Sequence, residues 1–185
     1  MTSESRAVDE VGHRETAVLH MVCGKIASGK STLTARLVDA ARTTVLVSED
    51  KWIACLYPHE IHTVSDYASR AARMRNILTE HIQALLAAGI SVVLDFPFNT
   101  ASTRAWGHSL FQAVACEHRL HYLNVTDEIC KSRLRARNAS GEHPFQTSEE
   151  QYDQITRYFV PPALSEGFNI VVYDESGKVR SRTES

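Results

Sequence analysis

Short apolar runs alternate with longer amphipathic stretches along this chain. Five apolar runs are short enough to predict β-strands, and they lie at Ala17–Cys23, Thr44–Val47, Ile90–Leu94, Arg119–Val125 and Asn169–Tyr173. Five amphipathic stretches between these runs predict helices, at Lys30–Ala41, Asp66–Ala88, Ala101–Cys116, Asp127–Asn138 and Ser148–Phe159. Strands that alternate with helices in this way predict an α/β fold, with a parallel sheet covered by helices on both faces.

The bulk composition predicts a single folded domain. The chain has 185 residues, of which 43% are hydrophobic and 23% are charged, so it carries enough apolar material for one sizeable core. Residues 1–16 and 175–185 are rich in polar and charged side chains and have no apolar periodicity, which is typical of flexible tails. We therefore expect one domain over residues 17–174.

Charge and cysteine usage narrow the classes of function. Lys and Arg number 20 against 22 Asp and Glu, and the net charge of −2 gives no global positive field for a long polyanion, although a local basic groove stays possible. The four cysteines form no CxxC pair and have no zinc-ligand spacing, so free thiols are expected. Neither a secretion signal nor about 18 consecutive apolar residues occur. We expect a cytoplasmic protein, monomeric or homodimeric, without a membrane partner.

One glycine-rich segment carries a specific chemical signal. Residues 24–31 follow the pattern G-x-x-x-x-G-K-S, directly after the first predicted strand and directly before the first predicted helix. Such a loop points backbone N–H groups at phosphate oxygens, above the positive end of the helix. Lys30 would neutralise the β- and γ-phosphates, and the Ser31 hydroxyl would bind Mg²⁺. The predicted nucleotide-binding residues are Gly24, Lys25, Ile26, Ala27, Ser28, Gly29, Lys30, Ser31 and Thr32.

The other classes of P-loop protein fit the chain less well. The Asn-Lys-x-Asp motif that binds guanine in GTP-dependent switches does not occur in the sequence. Motor-type ATPases place a catalytic Glu directly after the carboxylate that ends the Mg²⁺-side strand, whereas Asp95 is followed by Phe96 and Pro97. The chain is also too short to add the helical domain of ring-forming ATPases. Transfer of a phosphoryl group from ATP to a bound acceptor fits better.

Four segments together resemble the small P-loop kinases, a group that includes gluconate kinase, zeta toxin and polynucleotide 5′-kinase. They are GKIASGKS at 24–31, VSEDK at 47–51, VVLDFP at 92–97 and CKSRLRARN at 130–138. The resemblance implies a three-layer α/β/α sandwich with a five-stranded parallel sheet of order 2-3-1-4-5, similar to nucleoside and shikimate kinases. It also implies ATP and Mg²⁺ as cofactors. The resemblance supports the reaction type and leaves the acceptor open.

Asp50 follows the second predicted strand, at the edge of the sheet where ligands of open parallel sheets bind. In similar kinases an aspartate here accepts a hydrogen bond from the acceptor hydroxyl and orients or deprotonates it. As an alternative, Asp50 is the N-cap of a helix that begins before Trp52. Glu49 could replace Asp50 if the loop turns differently.

Asp95 ends the third predicted strand, where its carboxylate could hold Mg²⁺ together with Ser31 or could bind the acceptor. The sequence leaves both roles open. Arg104, on the first turns of the next predicted helix, matches a basic position that many relatives place near the acceptor. A solvated helix charge is the alternative for Arg104.

Two arginines share one face of the fourth predicted helix, because Arg133 and Arg137 are four residues apart, while Arg135 points elsewhere. Their guanidinium groups could grip phosphate oxygens and stabilise the charge of the transferring group. The following residues contain Gly141 and Pro144, which break the helix, so a mobile lid is predicted at about 133–147. An ordinary basic helix is the alternative.

These features together predict a kinase with Lys30, Asp50, Arg133 and Arg137 as catalytic residues, and a small hydroxyl-bearing molecule as its acceptor. Two other functions stay open. One is a nucleotide-binding regulator that hydrolyses ATP without an acceptor. The other is a 5′-hydroxyl polynucleotide kinase, whose basic channel would come from Arg70, Arg73 and Arg75, although the net charge argues against nucleic acid as a partner.

Overall fold

A computed structural model describes residues 16–40, 43–141 and 146–184 of the chain. Its strands form one sheet in the order β2-β3-β1-β4-β5-β6. Their bounds are β1 Val18–Cys23, β2 Thr44–Ser48, β3 Ser91–Pro97, β4 Glu117–Leu123, β5 Ile170–Tyr173 and β6 Val179–Thr183. The first five pair in parallel and β6 pairs antiparallel with β5. The predicted α/β class and the order 2-3-1-4-5 of its parallel strands are therefore confirmed.

The helices connect the parallel strands. Their bounds are α1 Lys30–Asp39, α2 Glu49–Leu56, α3 Val64–Ala87, α4 Ala101–Val114, α5 Asp127–Ser140 and α6 Glu149–Thr156. A capping box begins α3: the Thr63 hydroxyl accepts from the N–H of Asp66 at 3.1 Å, and the Asp66 carboxylate accepts from the N–H of Thr63 at 2.9 Å. Gly89 has a φ of 82° just after α3, where a side chain would strain the backbone.

Two elements differ from the sequence-based expectations. Helix α2 begins at the residue directly after the end of β2, so no turn residue separates the strand from the helix. Strand β6 lies inside the segment expected to be a C-terminal tail, and all five of its residues are exposed. A tight turn makes the β5–β6 hairpin, with Asp174 accepting hydrogen bonds from the N–H groups of Ser176 at 2.9 Å and Lys178 at 3.0 Å. The described residues therefore form six strands, one more than the five that were expected.

Apolar side chains cover both faces of the sheet. One cluster packs β1, β3 and β4 against α3 and α4, and a second packs β4 and β5 against α1, α5 and α6. Successive residues of β5 show the division, since Ile170 enters the first cluster and Val171 the second. Helix α3 supplies one stripe at helical spacing: Ala71, Met74, Leu78, Ile82 and Leu86. Because apolar packing covers both faces of the sheet, the polar groups of the candidate site lie at the carboxyl edge of the strands.

None of the helices in the described part of the chain combines the length and the apolarity that a membrane crossing requires. The expected N-terminal tail, residues 1–16, falls outside the described residues except for Thr16. Within the predicted lid, residues 142–145 also fall outside them.

Candidate functional site

A cavity of about 840 Å³ opens at the carboxyl edge of the parallel strands. Residues 25–29 and the start of α1 line part of it, and α3 and the loop after β3 line another part. Helix α5 contributes two arginines, and the segment 146–159 contributes a further wall. This is the edge at which open parallel sheets bind ligands.

The loop between β1 and α1 has the backbone shape that a phosphate cradle needs. Gly29 has a φ of 105° and Ala27 a φ of 59°, so the chain turns through the left-handed region twice within three residues. A Cβ at Gly24 would stand 2.6 Å from the Ser28 Oγ and 3.2 Å from the Leu123 carbonyl oxygen, so only glycine fits there. The Asn99 side chain fixes the loop by accepting from the N–H of Gly24 at 2.9 Å.

Two polar groups of the loop fit an anion in this cradle. The Ser28 hydroxyl is buried without a hydrogen-bond partner among the described residues, and Ser28 lines the cavity. The Lys30 ammonium donates to the carbonyl oxygens of Gly24 and Lys25, each at 2.8 Å. Burial lowers the pKa of Lys30, and the charges of Asp95 and Asp50 oppose that shift. Phosphate oxygens would satisfy both the hydroxyl and the ammonium.

Ser31 and Asp95 lie close together at the start of α1, and Ser48 is the register partner of Asp95 on β2. Burial raises the pKa of Asp95, while the nearby Ser31 hydroxyl and the charge of Lys30 lower it. A hydroxyl and a carboxylate side by side are hard oxygen donors of the kind that Mg²⁺ accepts. The residues therefore fit a metal ion bound next to the phosphates.

Asp50 lies in the first turn of α2, and Ser48 is the N-cap of that helix. The alternative role of Asp50 as a cap is therefore wrong. Asp50 lines the cavity, and the Tyr67 hydroxyl donates a hydrogen bond to its carboxylate. The same hydroxyl lies 3.0 Å from the Oε1 of Glu49, whose Oε2 accepts from Arg75 at 3.1 Å. Burial raises the pKa of Glu49 to about 7.

Arg133 and Arg137 line the cavity from the same face of α5. Arg133 donates to the carbonyl oxygens of Ser28 at 3.2 Å and Glu175 at 2.7 Å, which places its guanidinium against the cradle. Burial lowers the pKa of Arg137, while the charge of Asp50 opposes that shift. Arg135 points away as predicted and pairs with Glu149 at 2.6 Å.

Arg104 does not reach the cavity, so the predicted contact with the acceptor is wrong. Its side chain is 0% exposed and forms a bidentate ion pair with Glu166, at 2.6 and 2.9 Å. It also donates to the carbonyl oxygen of Val160 at 2.8 Å. The helical periodicity of α4 could have indicated that Arg104 is buried, because Arg104 lies on the same buried stripe as Gly107, Leu110 and Phe111.

Several cavity residues lie outside the predicted site. One face of α3 supplies Val64, Tyr67, Ala68, Ala71 and Arg75, which recur at helical spacing. Among these, Arg75 was predicted only as part of a basic channel for a polynucleotide, and the helical spacing does not show which element this face packs against. Asn99, Thr100 and Thr103 of the loop and helix after β3 also line the cavity. Groups of three or more potential metal-ligating His, Cys, Asp or Glu side chains do not occur among the described residues.

Comparison with solved structures shows a shared fold. A candidate kinase from Chloroflexus aurantiacus is 20% identical, with 86% of this chain and 85% of that chain covered and a TM-score of 0.68. Kti12 of Chaetomium thermophilum, solved with ADP-AlF₃, is 12% identical, with 84% and 88% covered and a TM-score of 0.65. A sugar kinase from Janibacter sp. HTCC2649 is 18% identical, with 88% and 87% covered and a TM-score of 0.59.

Comparison by sequence identifies the family. No curated protein matches the chain. The model of a family described as an AAA domain matches residues 19–162, a segment that includes the cradle, Asp50, Asp95 and both cavity arginines. That segment spans well over half of the 185 residues. The chain therefore belongs to this AAA-domain family of P-loop proteins, and its fold is that of the small P-loop kinases.

Proposed function

We propose that the protein is an ATP-dependent phosphotransferase that transfers the γ-phosphoryl group to a hydroxyl of a small-molecule acceptor. One observation carries the proposal: a phosphate cradle and a candidate base, Asp50, line the same cavity. The charge of Asp50 raises the pKa of both Lys30 and Arg137, which supports the placement of Asp50 near these two side chains. A pure nucleotide-binding switch would not require a carboxylate in the same cavity at the start of a separate helix, α2.

On the nucleotide side, the backbone of residues 24–32 would hold the phosphates and Lys30 would leave its two carbonyl contacts to bind the β- and γ-oxygens. Ser31 and Asp95 would hold Mg²⁺, which neutralises charge on the phosphates when it is bound. Arg133 and Arg137 would approach the transferring group from α5 and stabilise its charge. Their position beside the cradle supports this role.

On the acceptor side, Asp50 would accept a hydrogen bond from the acceptor hydroxyl and take its proton as the phosphoryl group transfers. The cavity around Asp50 combines hydroxyl-bearing side chains with apolar ones. Its hydroxyl donors include Thr63, Tyr67, Thr100 and Thr103, and its apolar walls include Ile61, Phe96 and Phe159. Such a lining suits a compact acceptor with several polar groups and an apolar face.

A polynucleotide acceptor has less support. Two of the three arginines that would form its basic channel are engaged with carboxylates, Arg70 with Glu60 and Arg75 with Glu49, each at 3.1 Å. Arg73 is exposed on α3. Neutralised guanidinium groups contribute little to the salt-dependent binding of a phosphate backbone. The small-molecule acceptor is therefore the stronger proposal.

The test is a screen for acceptor-dependent ADP formation with MgATP, using sugars, nucleosides, oligonucleotides and antibiotics. We expect one chemical class to raise ADP formation well above the basal rate and to yield a phosphorylated product by mass spectrometry. Lys30→Ala should abolish both signals. ATP hydrolysis that no acceptor stimulates would instead favour a nucleotide-binding regulator.

A further inference from the structure

Beside Asp50 lies a buried ion pair that the proposed reaction leaves without a role. Glu49 is 1% exposed, and its Oε2 accepts a hydrogen bond from the Nη1 of Arg75 at 3.1 Å. Removing a carboxylate from water costs on the order of several kcal/mol, and a single ion pair often does not offset that cost. Glu49 stands at the wall of the cavity, next to the candidate base in sequence. Its burial there points to a role in the site.

One hydroxyl connects Glu49 to Asp50. The Tyr67 oxygen lies 3.0 Å from the Oε1 of Glu49 and also within hydrogen-bonding distance of the Oδ1 of Asp50. A phenol has a single proton, so it donates to one of these carboxylates at a time. The other contact becomes a hydrogen bond only when a carboxyl group supplies a proton. The three groups are therefore arranged to share one additional proton.

We propose, on the basis of the phosphotransferase function above, that Tyr67 and Glu49 are positioning residues that take over the proton which Asp50 receives from the acceptor. The acceptor O–H bond breaks, its electron pair stays on the attacking oxygen, and its proton forms an O–H bond with Asp50. Asp50 passes a proton to the Tyr67 oxygen as Tyr67 gives its own proton to Glu49. Glu49 ends neutral, Asp50 is a carboxylate again and the phenol is unchanged.

The surrounding charges suit this direction of transfer. Burial raises the pKa of Glu49 to about 7, the charge of Arg75 opposes that rise, and the charge of Asp50 adds to it. Asp50 itself faces the charges of Lys30, Asp95 and Arg137. Burial also raises the pKa of Tyr67, so the phenol stays protonated and acts only as a bridge. A terminal group that titrates near neutral pH can accept and release the proton in each turnover.

The direct test compares Tyr67→Phe and Glu49→Gln in the acceptor-dependent assay between about pH 5.5 and 9. Matched controls are Tyr122→Phe, which removes a hydroxyl bound to Asn124 at 3.2 Å, and Glu60→Gln, which removes a surface ion pair. We expect each test variant to lower kcat by about 10-fold or more with the KM for ATP unchanged, and each control to keep the wild-type kcat.

The pH profile separates proton transfer from simple support of the fold. Only the carboxylate form of Glu49 accepts a proton, so the wild-type kcat should fall as the pH drops through about 7. Glu49→Gln should lose that acidic limb. A Tyr67→Phe variant with the wild-type kcat and profile, or a Glu49→Gln variant that keeps the limb, would overturn the proposal.

A titration without acceptor gives an independent result. Carboxyl ¹³C NMR should show Glu49 titrating near pH 7. The pKa of Glu49 should rise in Tyr67→Phe, which removes a hydrogen bond to its carboxylate, and fall in Asp50→Asn, which removes a neighbouring negative charge. Titration of Glu49 in the ordinary acidic range, insensitive to both substitutions, would contradict the proposal. If Asp50→Asn loses activity while Tyr67→Phe and Glu49→Gln keep it, the proposed proton transfer through Tyr67 is wrong and the phosphotransferase function still stands. If no acceptor is phosphorylated by wild type, the phosphotransferase function fails.

Discussion

The two sides of the cavity are built in different ways. The proposed nucleotide side is one continuous segment, residues 24–32, in which backbone conformation and a few side chains would supply the groups that bind phosphate. The proposed acceptor side takes Asp50 from α2, Tyr67 and Arg75 from α3, and Thr100 and Thr103 from the turn into α4. In the proposed reaction, binding of the triphosphate would therefore depend on local structure. Choice of the acceptor would depend on packing between elements far apart in sequence.

Three arginines that were predicted to contact a ligand differ in where their side chains lie. Arg133 and Arg137 lie in the cavity, and Arg133 donates to the Ser28 carbonyl oxygen of the cradle and to the Glu175 carbonyl oxygen of the β5–β6 turn. Arg104 is enclosed between α4 and the segment after α6, where Glu166 and two carbonyl oxygens take its donors. Helical spacing predicted a phosphate contact for Arg133 and Arg137, and the resemblance to relatives predicted an acceptor contact for Arg104. Burial assigns Arg104 to the stability of the fold.

The largest effect is expected on the nucleotide side. Lys30→Ala removes the cation from the β- and γ-phosphates while the glycine backbone of the cradle stays intact, so turnover should fall by about 10³-fold or more. Thermal stability should change less than turnover, because the hydrogen bonds of the Lys30 ammonium within the described residues go to two carbonyl oxygens of the cradle loop. Rates of ADP formation and melting temperatures measured on the same preparation check this. A variant that turns over at the wild-type rate would contradict the assignment of the cradle.

Arg104→Met should destabilise the fold by about 3 kcal/mol, because removing one partner of a buried ion pair leaves Glu166 and two carbonyl oxygens without their donor. Arg135→Met is the matched control: its ion pair with Glu149 is 61% exposed on the arginine side, and its loss should cost less than about 1 kcal/mol. Urea unfolding measures both. Unchanged stability together with a raised KM for the acceptor would return Arg104 to the acceptor site.

Asp50→Asn tests the acceptor side without disturbing the cradle. Because Ser48 is the cap of α2, the substitution leaves helix capping unaffected and removes only charge and basicity. Phosphorylation of the acceptor should fall by about 10²-fold or more, and ATP binding should survive. Single-turnover phosphorylation and calorimetric binding of MgATP separate the two effects. Wild-type phosphorylation by this variant would make Asp95 or Glu49 the candidate base.

The smallest difference is expected between nucleotides. The sequence contains no Asn-Lys-x-Asp motif to bind guanine, so the protein should bind ATP at least as tightly as GTP. Equilibrium titration with each nucleotide in the presence of Mg²⁺ gives the ratio of the dissociation constants. A clear preference for GTP would show that side chains outside the predicted motifs select the base.

The α/β class and the cradle could be predicted from the sequence, because they depend on short-range signals: apolar runs of strand length, helical periodicity, and glycines at fixed spacing before a helix. The order of the parallel strands was predicted from the resemblance to the small P-loop kinases. Asp50 and Asp95 were predicted from apolar runs, since Asp50 lies just beyond the end of β2 and Asp95 lies near the end of β3, at the edge where the carboxyl ends of the strands meet.

Which side chains face one another became clear from the packing of the helices and strands. Strand β6 was missed because its residues are polar and exposed, and it forms by pairing with β5 through a tight turn. Arg104 changed role because Glu166, 62 residues later in the chain, packs against it. Tyr67 joins Glu49 and Asp50 because α3 folds back over α2. Such long-range contacts depend on the packing of whole elements, and local sequence patterns carry no record of them.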